Sequence, residues 1–371
     1  MRQRSSSGSA SRRRVLVATV ITVALAGCAD DDTLQGEGPV TVYVGLPLRG
    51  PTSPDGQDAA DAARMALAEA GGEAGGREVR AVVLDDTEGG GAVARWTPER
   101  AAANARRAIE DSTTIAYIGN FESGATRSSL PITNEARLLQ VSPASSAVDL
   151  AAPFPGSDDV PDVQFSGERT FGRVIPSDYA QGQAAAVWAG ELGWSQARIV
   201  SDDSSFADSL ADGFRAEAPL RRIDPSADQG RTVYLAGQPP VTGAEAIGSD
   251  VYLNAPRAPG LITSAALDPS QLPPAGQEFV ARFRAEYGRQ PGRYAAYGYE
   301  AMAVVLDSID RAGDGGTDRE AVIDAFFDTA NRDSVLGTYS IDEVGDTTLD
   351  RLSGYRLDDG RTRPVAELTA P

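Results

Sequence analysis

The sequence predicts an α/β protein of two lobes, each an open parallel sheet flanked by helices. From Val40 onward, β-rich runs alternate with stretches of helical spacing. Parallel strands need crossover helices, so this alternation implies an open parallel sheet covered on both faces. The length left after an N-terminal leader suits two compact domains of ~150 residues each. A helix-rich run near the C-terminus also needs a sheet to pack on, and the economical solution is a return to the first lobe.

Val40 to Pro47 is β-rich and reads as a strand, followed by a turn-rich loop with Gly50, Pro51 and Pro54. Ala59, Ala63, Ala66, Leu67 and Ala70 fall on one face of a helix that Gly71-Gly72 stops. Glu78 to Leu84 is a second strand, ending at Asp85-Asp86. A helix follows from about Pro98 to Glu110, a strand over Thr114 to Ile118, a helix from about Ser123 to Ala136, and a strand over Leu138 to Ser142. Ala144 to Gly167 is rich in Pro, Gly, Ser and Asp and reads as a surface excursion. The βα pattern then resumes with a helix over Tyr179 to Leu192, a strand over Ala197 to Ser201, a helix over Phe206 to Glu217 and a strand over Thr232 to Ala236. After Leu261 to Ser264 come helices over Pro274 to Tyr287, Tyr294 to Ala312 and Arg319 to Thr329.

The leader fixes the expected compartment. Met1 to Arg14 carries five arginines and no acid. Val15 to Ala26 is apolar but shorter than the roughly 20 residues a membrane span needs. It ends in Leu25-Ala26-Gly27-Cys28. A basic segment, a short apolar core and small residues before a cysteine read as a cleavable lipoprotein signal peptide over residues 1–27, with the lipid on Cys28. An ordinary secretory leader with a chance cysteine is the alternative. Ser11 to Leu16 fits a loose twin-arginine signal or a plain basic region. Residues 28–39 read as a polar tether. A diacyl group on Cys28 would hold the chain to the outer face of the cell membrane. With its single cysteine so used, the chain has none left for a disulfide.

Composition narrows the chemistry. There is no histidine, which excludes Ser-His-Asp and Cys-His constellations and any histidine metal site. All 34 basic residues are arginines, so Schiff-base lysine chemistry is excluded too. Losing the five leader arginines leaves 29 against 53 acids, a net charge of −24. Such a surface repels nucleic acid and anionic lipid headgroups. No enzyme activity, cofactor or metal is expected.

Ligands of open parallel sheets bind beyond the carboxyl ends of the strands. Two loops there carry compact polar sets. Gly119 to Thr126 places Ser123 where a helix begins, and a helix N-terminus suits a carboxylate; Ser123 serves equally as that helix's own cap. Ser142-Pro143-Ala144-Ser145-Ser146 offers hydroxyls to a small polar ligand, or is a plain serine turn. Asp85-Asp86 reads either as paired carboxylates for acid–base or cation work, or as a strand-end cap of the next loop. The three tryptophans read as packing residues.

These residues, taken in order, resemble the leucine/isoleucine/valine-type solute-binding lipoproteins of ABC importers, which have the type I periplasmic-binding-protein fold. The resemblance runs through Val44 to Pro51, Leu84 to Thr87, Tyr117 to Gly119 with Ser123 and Thr126, and is strongest at Val141 to Ser146. Phe171-Gly172-Arg173 with Asp178, Gln181 and Gly182 resembles the opening of the second lobe, and Phe279 to Pro291 and Tyr294 to Ala301 resemble the returning helices. It implies a first lobe of residues 40–165 and 263–342 and a second of 166–262 and 343–371, closing on a ligand between them. It implies that Ser123, Ala144, Ser145 and Ser146 hold the ends of an amino-acid-like ligand, with Phe206 as an aromatic contact from the second lobe. This chain is shorter than the family pattern between Glu217 and Thr232 and between Gln238 and Leu261, so the second lobe is expected to be shortened, and no acid aligns there for a ligand ammonium. The implied function is uptake of a small amino-acid-like or amide-type solute with ABC permease subunits as partners. The alternative is a non-transport sensor or interaction lipoprotein with a degenerate cleft.

Overall fold

A computed structural model describes residues 38–152, 166–201, 205–226, 233–235, 251–254, 260–313, 316–358 and 361–371. The expected signal peptide, Cys28 and nearly all of the tether lie outside them, as do Gln238, Pro239 and Pro240. Among the described residues, no helix is long and apolar enough to cross a membrane.

The first sheet has six strands in the order β2 (Glu73–Ala74), β3 (Arg77–Asp85), β1 (Val40–Leu46), β6 (Thr114–Gly119), β7 (Leu139–Ser142) and β8 (Phe171–Arg173). All pairings are parallel except the β2–β3 hairpin. Strands β1 and β6 are buried along their whole length. Central parallel strands are covered on both faces, which is why VTVYVGL and TIAYIG read as continuous apolar runs. The first helices are α1 (Ser53–Glu69), α2 (Pro98–Glu110) and α3 (Ser123–Glu135). Thr97 caps α2, its hydroxyl accepting from Arg100 N at 3.2 Å, with Pro98 in the first turn. The short pair β4 (Thr87–Glu88) and β5 (Arg95–Trp96) lies between β3 and α2.

The second sheet runs β16 (Arg361–Thr369), β15 (Arg351–Asp358), β12 (Gly260–Ser264), β11 (Val251–Asn254), β10 (Val233–Leu235) and β9 (Arg198–Val200). Helix α4 (Asp178–Glu191) packs against it and against α5 (Ser205–Glu217). Gln181 Nε2 ties α4 to β12 by donating to Thr263 O at 3.0 Å. The expectation of a parallel second sheet needs correction. Among the described strands of this sheet, only β9 and β10 run parallel; the remaining neighbours are antiparallel. The physical reason is connection length: too few residues separate β11 from β12 and β15 from β16 for a crossover helix.

Helices α6 (Pro274–Tyr287), α7 (Ala295–Ala312) and α8 (Arg319–Phe327) then return to the first sheet. Helix α7 lies along α1 so closely that a Cβ on Gly298 would come within 2.3 Å of Ala59 O. The hairpin β13 (Arg332–Ser334) and β14 (Gly337–Tyr339) follows α8. The chain therefore passes between the sheets after β8, after β12 and before β15. Two expected boundaries shift: β8 pairs with β7 in the first sheet, so a division at residue 166 comes one strand early, and Thr263 and Ser264 still pair with β15 in the second.

Candidate functional site

At the carboxyl ends of β6 and β7, the loop from Gly119 and the turn from Ser142 are joined by a buried polar network centred on Asn120. Its backbone N–H donates to Thr126 Oγ1 at 3.1 Å, and its carbonyl accepts from Ser142 Oγ at 2.7 Å and Ser145 Oγ at 3.0 Å. Its side chain donates to Asp86 Oδ2 at 3.1 Å and accepts from Ser129 Oγ at 2.6 Å. Gln140 closes the other side, donating to Gly119 O at 3.0 Å and Ser129 Oγ at 2.9 Å. Ser145 Oγ and Thr126 Oγ1 share a 2.7 Å bond. With Thr126 as donor there, every hydroxyl in the ring both donates and accepts. Buried networks satisfied in this way hold one geometry, and here they hold α3 against the ends of two strands.

The structure brings Ser123, Ala144, Ser145 and Ser146 together. Ser123 Oγ accepts from Ala147 N at 3.2 Å, bridging loop and turn. The residue before it, Glu122, is the α3 cap position and makes no side-chain cap bond. Ser142 Oγ accepts from Ala144 N at 3.2 Å and Ser145 N at 2.8 Å. The Ser145 hydroxyl is fully buried and serves the turn itself. Phe206 stands apart, at the start of α5 and half-buried against the main core. Trp188 and Trp194 are core residues. Trp96 instead packs on the first turn of α3, where a Cβ on Gly124 would meet its ring at 2.5 Å.

Of the two acids at the end of β3, Asp85 follows the capping reading. Asp85 caps the following loop, its Oδ1 accepting from Leu48 N at 3.1 Å, Thr87 N at 3.0 Å and Thr87 Oγ1 at 2.7 Å, while Oδ2 pairs with Arg49. Asp86 is fully buried under Asn120, and burial pushes its carboxyl up to about 7 against the Asn120 bond. Burial and then the charge of Asp86 push neighbouring Glu122 up to about 8. Among the described residues, no group of His, Cys, Asp and Glu is placed to hold a metal ion.

Sequence reasoning used Asp178 only as part of the resemblance at the opening of the second lobe and gave it no binding role. It opens α4 behind the capping residue Ser177, and its N–H donates to Ser146 O at 2.9 Å. This contact joins the first-sheet turn to the second-sheet helix. The Asp178 side chain is fully buried, and among the described residues neither carboxyl oxygen has a hydrogen-bond partner of good geometry. Burial pushes the carboxyl up to about 7; the nearby Ser146 hydroxyl, then Arg173 and Arg127, oppose this, and Asp149 adds to it. Tyr234 on β10 lies close enough that Asp178 raises its phenol beyond the effect of burial. Its ring stacks on Phe214 at 4.2 Å, and among the described residues its buried hydroxyl has no partner either.

This arrangement can be set beside known proteins. No curated protein sequence matches the chain. Solved structures with the same fold include a leucine-binding protein from Thermotoga maritima, at 24% identity over 89% of this chain and 99% of that chain with a TM-score of 0.67. An ABC transporter substrate-binding protein from Desulfitobacterium hafniense, in complex with Leu, is 22% identical over 88% and 100%, with a TM-score of 0.70. A solute-binding protein of an ABC transporter from Rhodopseudomonas palustris, in complex with 3,4-dihydroxybenzoic acid, is 16% identical over 90% and 98%, with a TM-score of 0.67. A model described as periplasmic binding protein matches residues 39–242 and 240–361. The chain, an α/β protein whose first-sheet turn meets a second-sheet helix at Asp178, belongs to the periplasmic binding protein family.

Proposed function

We propose that the chain is the extracytoplasmic, lipid-anchored solute-binding component of an ABC importer, and that its solute is amino-acid-like. The carrying observation is the Asp178 carboxyl, buried beside the Ser146 hydroxyl with neither oxygen in a hydrogen bond of good geometry among the described residues. A buried carboxylate is costly until a cation or a set of donors completes it. A solute ammonium set against Asp178 and Ser146 does so, and its carboxylate then points to the start of α3 at Ser123, where helix N–H groups and partial positive charge favour an anion. Asp178 thus supplies the acid that the shortened stretch after Gln238 lacks. Members of this family bind solutes rather than transform them, so no catalytic role is assigned.

Ala144 and Ser145 shape the turn in this reading, and Phe206 packs the solute side chain from the second lobe. The lobes are residues 40–173 with the returning helices, and α4 onward with the C-terminal hairpin. They close on the solute, which shifts an open–closed equilibrium. Aromatic acids, one of which a neighbour binds, fit less well, because a ligand with only a carboxylate leaves Asp178 uncompensated.

A thermal-shift screen of amino acids, amides and aromatic acids tests the reading. A solute at about one hundred times its Kd adds ~2.7 kcal/mol of stability. Shifts with amino acids and none with benzoates are expected. No shift with any amino acid or amide would leave only a sensor or interaction protein with a closed-off cleft. For the anchor, Cys28→Ser is expected to move the protein from membranes to the soluble fraction; a variant still in the membrane pellet would contradict lipidation.

A further inference from the structure

Arg173 is a charged side chain with no exposure at all. Its Nε and Nη2 donate to Asp346 Oδ1 at 2.7 Å and Oδ2 at 2.9 Å, fork against fork. The remaining nitrogen, Nη1, donates to Ala147 O at 2.6 Å and more weakly to Ser145 O at 3.4 Å. These two carbonyls flank Ser146. Asp346 stands on a different passage of the chain, the loop leading into β15, where its N–H donates to Asp342 Oδ1 at 2.8 Å. The backbone repeats the link, with Arg173 N donating to Gly345 O at 2.9 Å and Val174 N to Ser142 O at 3.2 Å. A planar guanidinium fits this task because its donors diverge at fixed angles; an ammonium cannot hold a carboxylate by two atoms and a carbonyl on the far side together.

We propose that Arg173 is a positioning residue for the solute turn, a clamp on the carbonyls either side of Ser146 whose place is set by Asp346 on the passage into the second sheet. The turn is then tied to two of the chain passages between the sheets. Where the proposed function holds, this makes the setting of the Ser146 hydroxyl depend on how those passages stand, and so on lobe movement.

Site-resolved amide hydrogen exchange on the full chain tests the clamp without a ligand. The informative amides are Ser145, which donates to Ser142 Oγ, and Ala147, which donates to Ser123 Oγ. Arg173→Lys and Asp346→Asn are each expected to speed exchange at these amides by ~tenfold or more through local opening, leaving α7 unchanged. Arg332→Lys is the control, since it weakens another buried pair, Arg332 with Glu300 at 2.7 Å, away from the turn. It should leave Ser145 and Ala147 as they are. If Arg173→Lys fails to fold, Asp346→Asn carries the test. Unchanged turn protection, or a uniform rise through the chain including α7, would overturn the proposal. Titration with L-leucine is a separate arm. Weaker binding by Asp346→Asn than by Arg332→Lys supports the clamp and equal binding counts against it, while no binding by the wild type counts against the proposed function alone.

Discussion

Asn120 and Asp178 are both fully buried polar residues near the same turn, and they differ in one respect. Asn120 has partners for its N–H, its carbonyl and both ends of its amide. Among the described residues, Asp178 has none of good geometry for either carboxyl oxygen. A satisfied buried group builds a scaffold, whereas an unsatisfied one raises the free energy of the empty protein until something completes it. Asp86 and Glu122 lie between these cases, each with one oxygen unpartnered.

The comparison breaks most sharply at Asp178→Asn. Affinity for an amino-acid solute should fall by a factor matching ~2–5 kcal/mol, the loss when one partner of a buried charge pair is removed. Calorimetric titration measures it; unchanged affinity would place the ammonium elsewhere. The same variant should be the more stable protein at neutral pH. The folded carboxyl titrates at about 7 against an ordinary 3.8. Between those values the native state keeps a proton that the unfolded chain has lost, so stability falls as pH rises and levels off above about 7. Asp178→Asn removes that slope, gaining on the wild type by up to roughly 4 kcal/mol across the window. Urea melts of both proteins at about pH 5 and about pH 8 check the sign.

Solute affinity carries the same titration in reverse. An ammonium needs the ionised carboxylate, so affinity should drop nearly tenfold for each pH unit below about 7. An amide solute accepting from the neutral carboxyl would show the opposite trend. At the scaffold, Asn120→Ala should lower stability by ~2–4 kcal/mol, leaving Asp86 Oδ2 without its donor and the Ser129 hydroxyl without its acceptor at 2.6 Å. The smallest effects separate the serines. Ser146→Ala and Ser123→Ala should each weaken binding by ~1 kcal/mol with little change in melting, and Ser145→Ala should lower stability first, because its hydroxyl closes the ring around Asn120.

The first sheet was legible because fully buried strands leave continuous apolar runs and amphipathic helices leave periodic traces, and the hydroxyl turns showed as polar sets at strand ends. The antiparallel second sheet was not, since pairing direction depends on connections rather than on the strands. One signal there was readable: Asp358-Asp359-Gly360 between two alternating runs is a hairpin signature, and β15 and β16 flank it. Thr126 and Ser129 were readable as a polar stripe only once α3 was known to be buried. Asp178 was hidden differently. After Ser177 it reads as an ordinary acid in a helix's first turn, and nothing local tells that Ser146 lies over it.

A crystal structure with bound solute tests the central claim most directly. It should place the solute nitrogen within ~2.7–3.1 Å of an Asp178 carboxylate oxygen, with the solute carboxylate at the start of α3. A solute bound elsewhere, with both Asp178 oxygens still lacking a partner, would contradict the account.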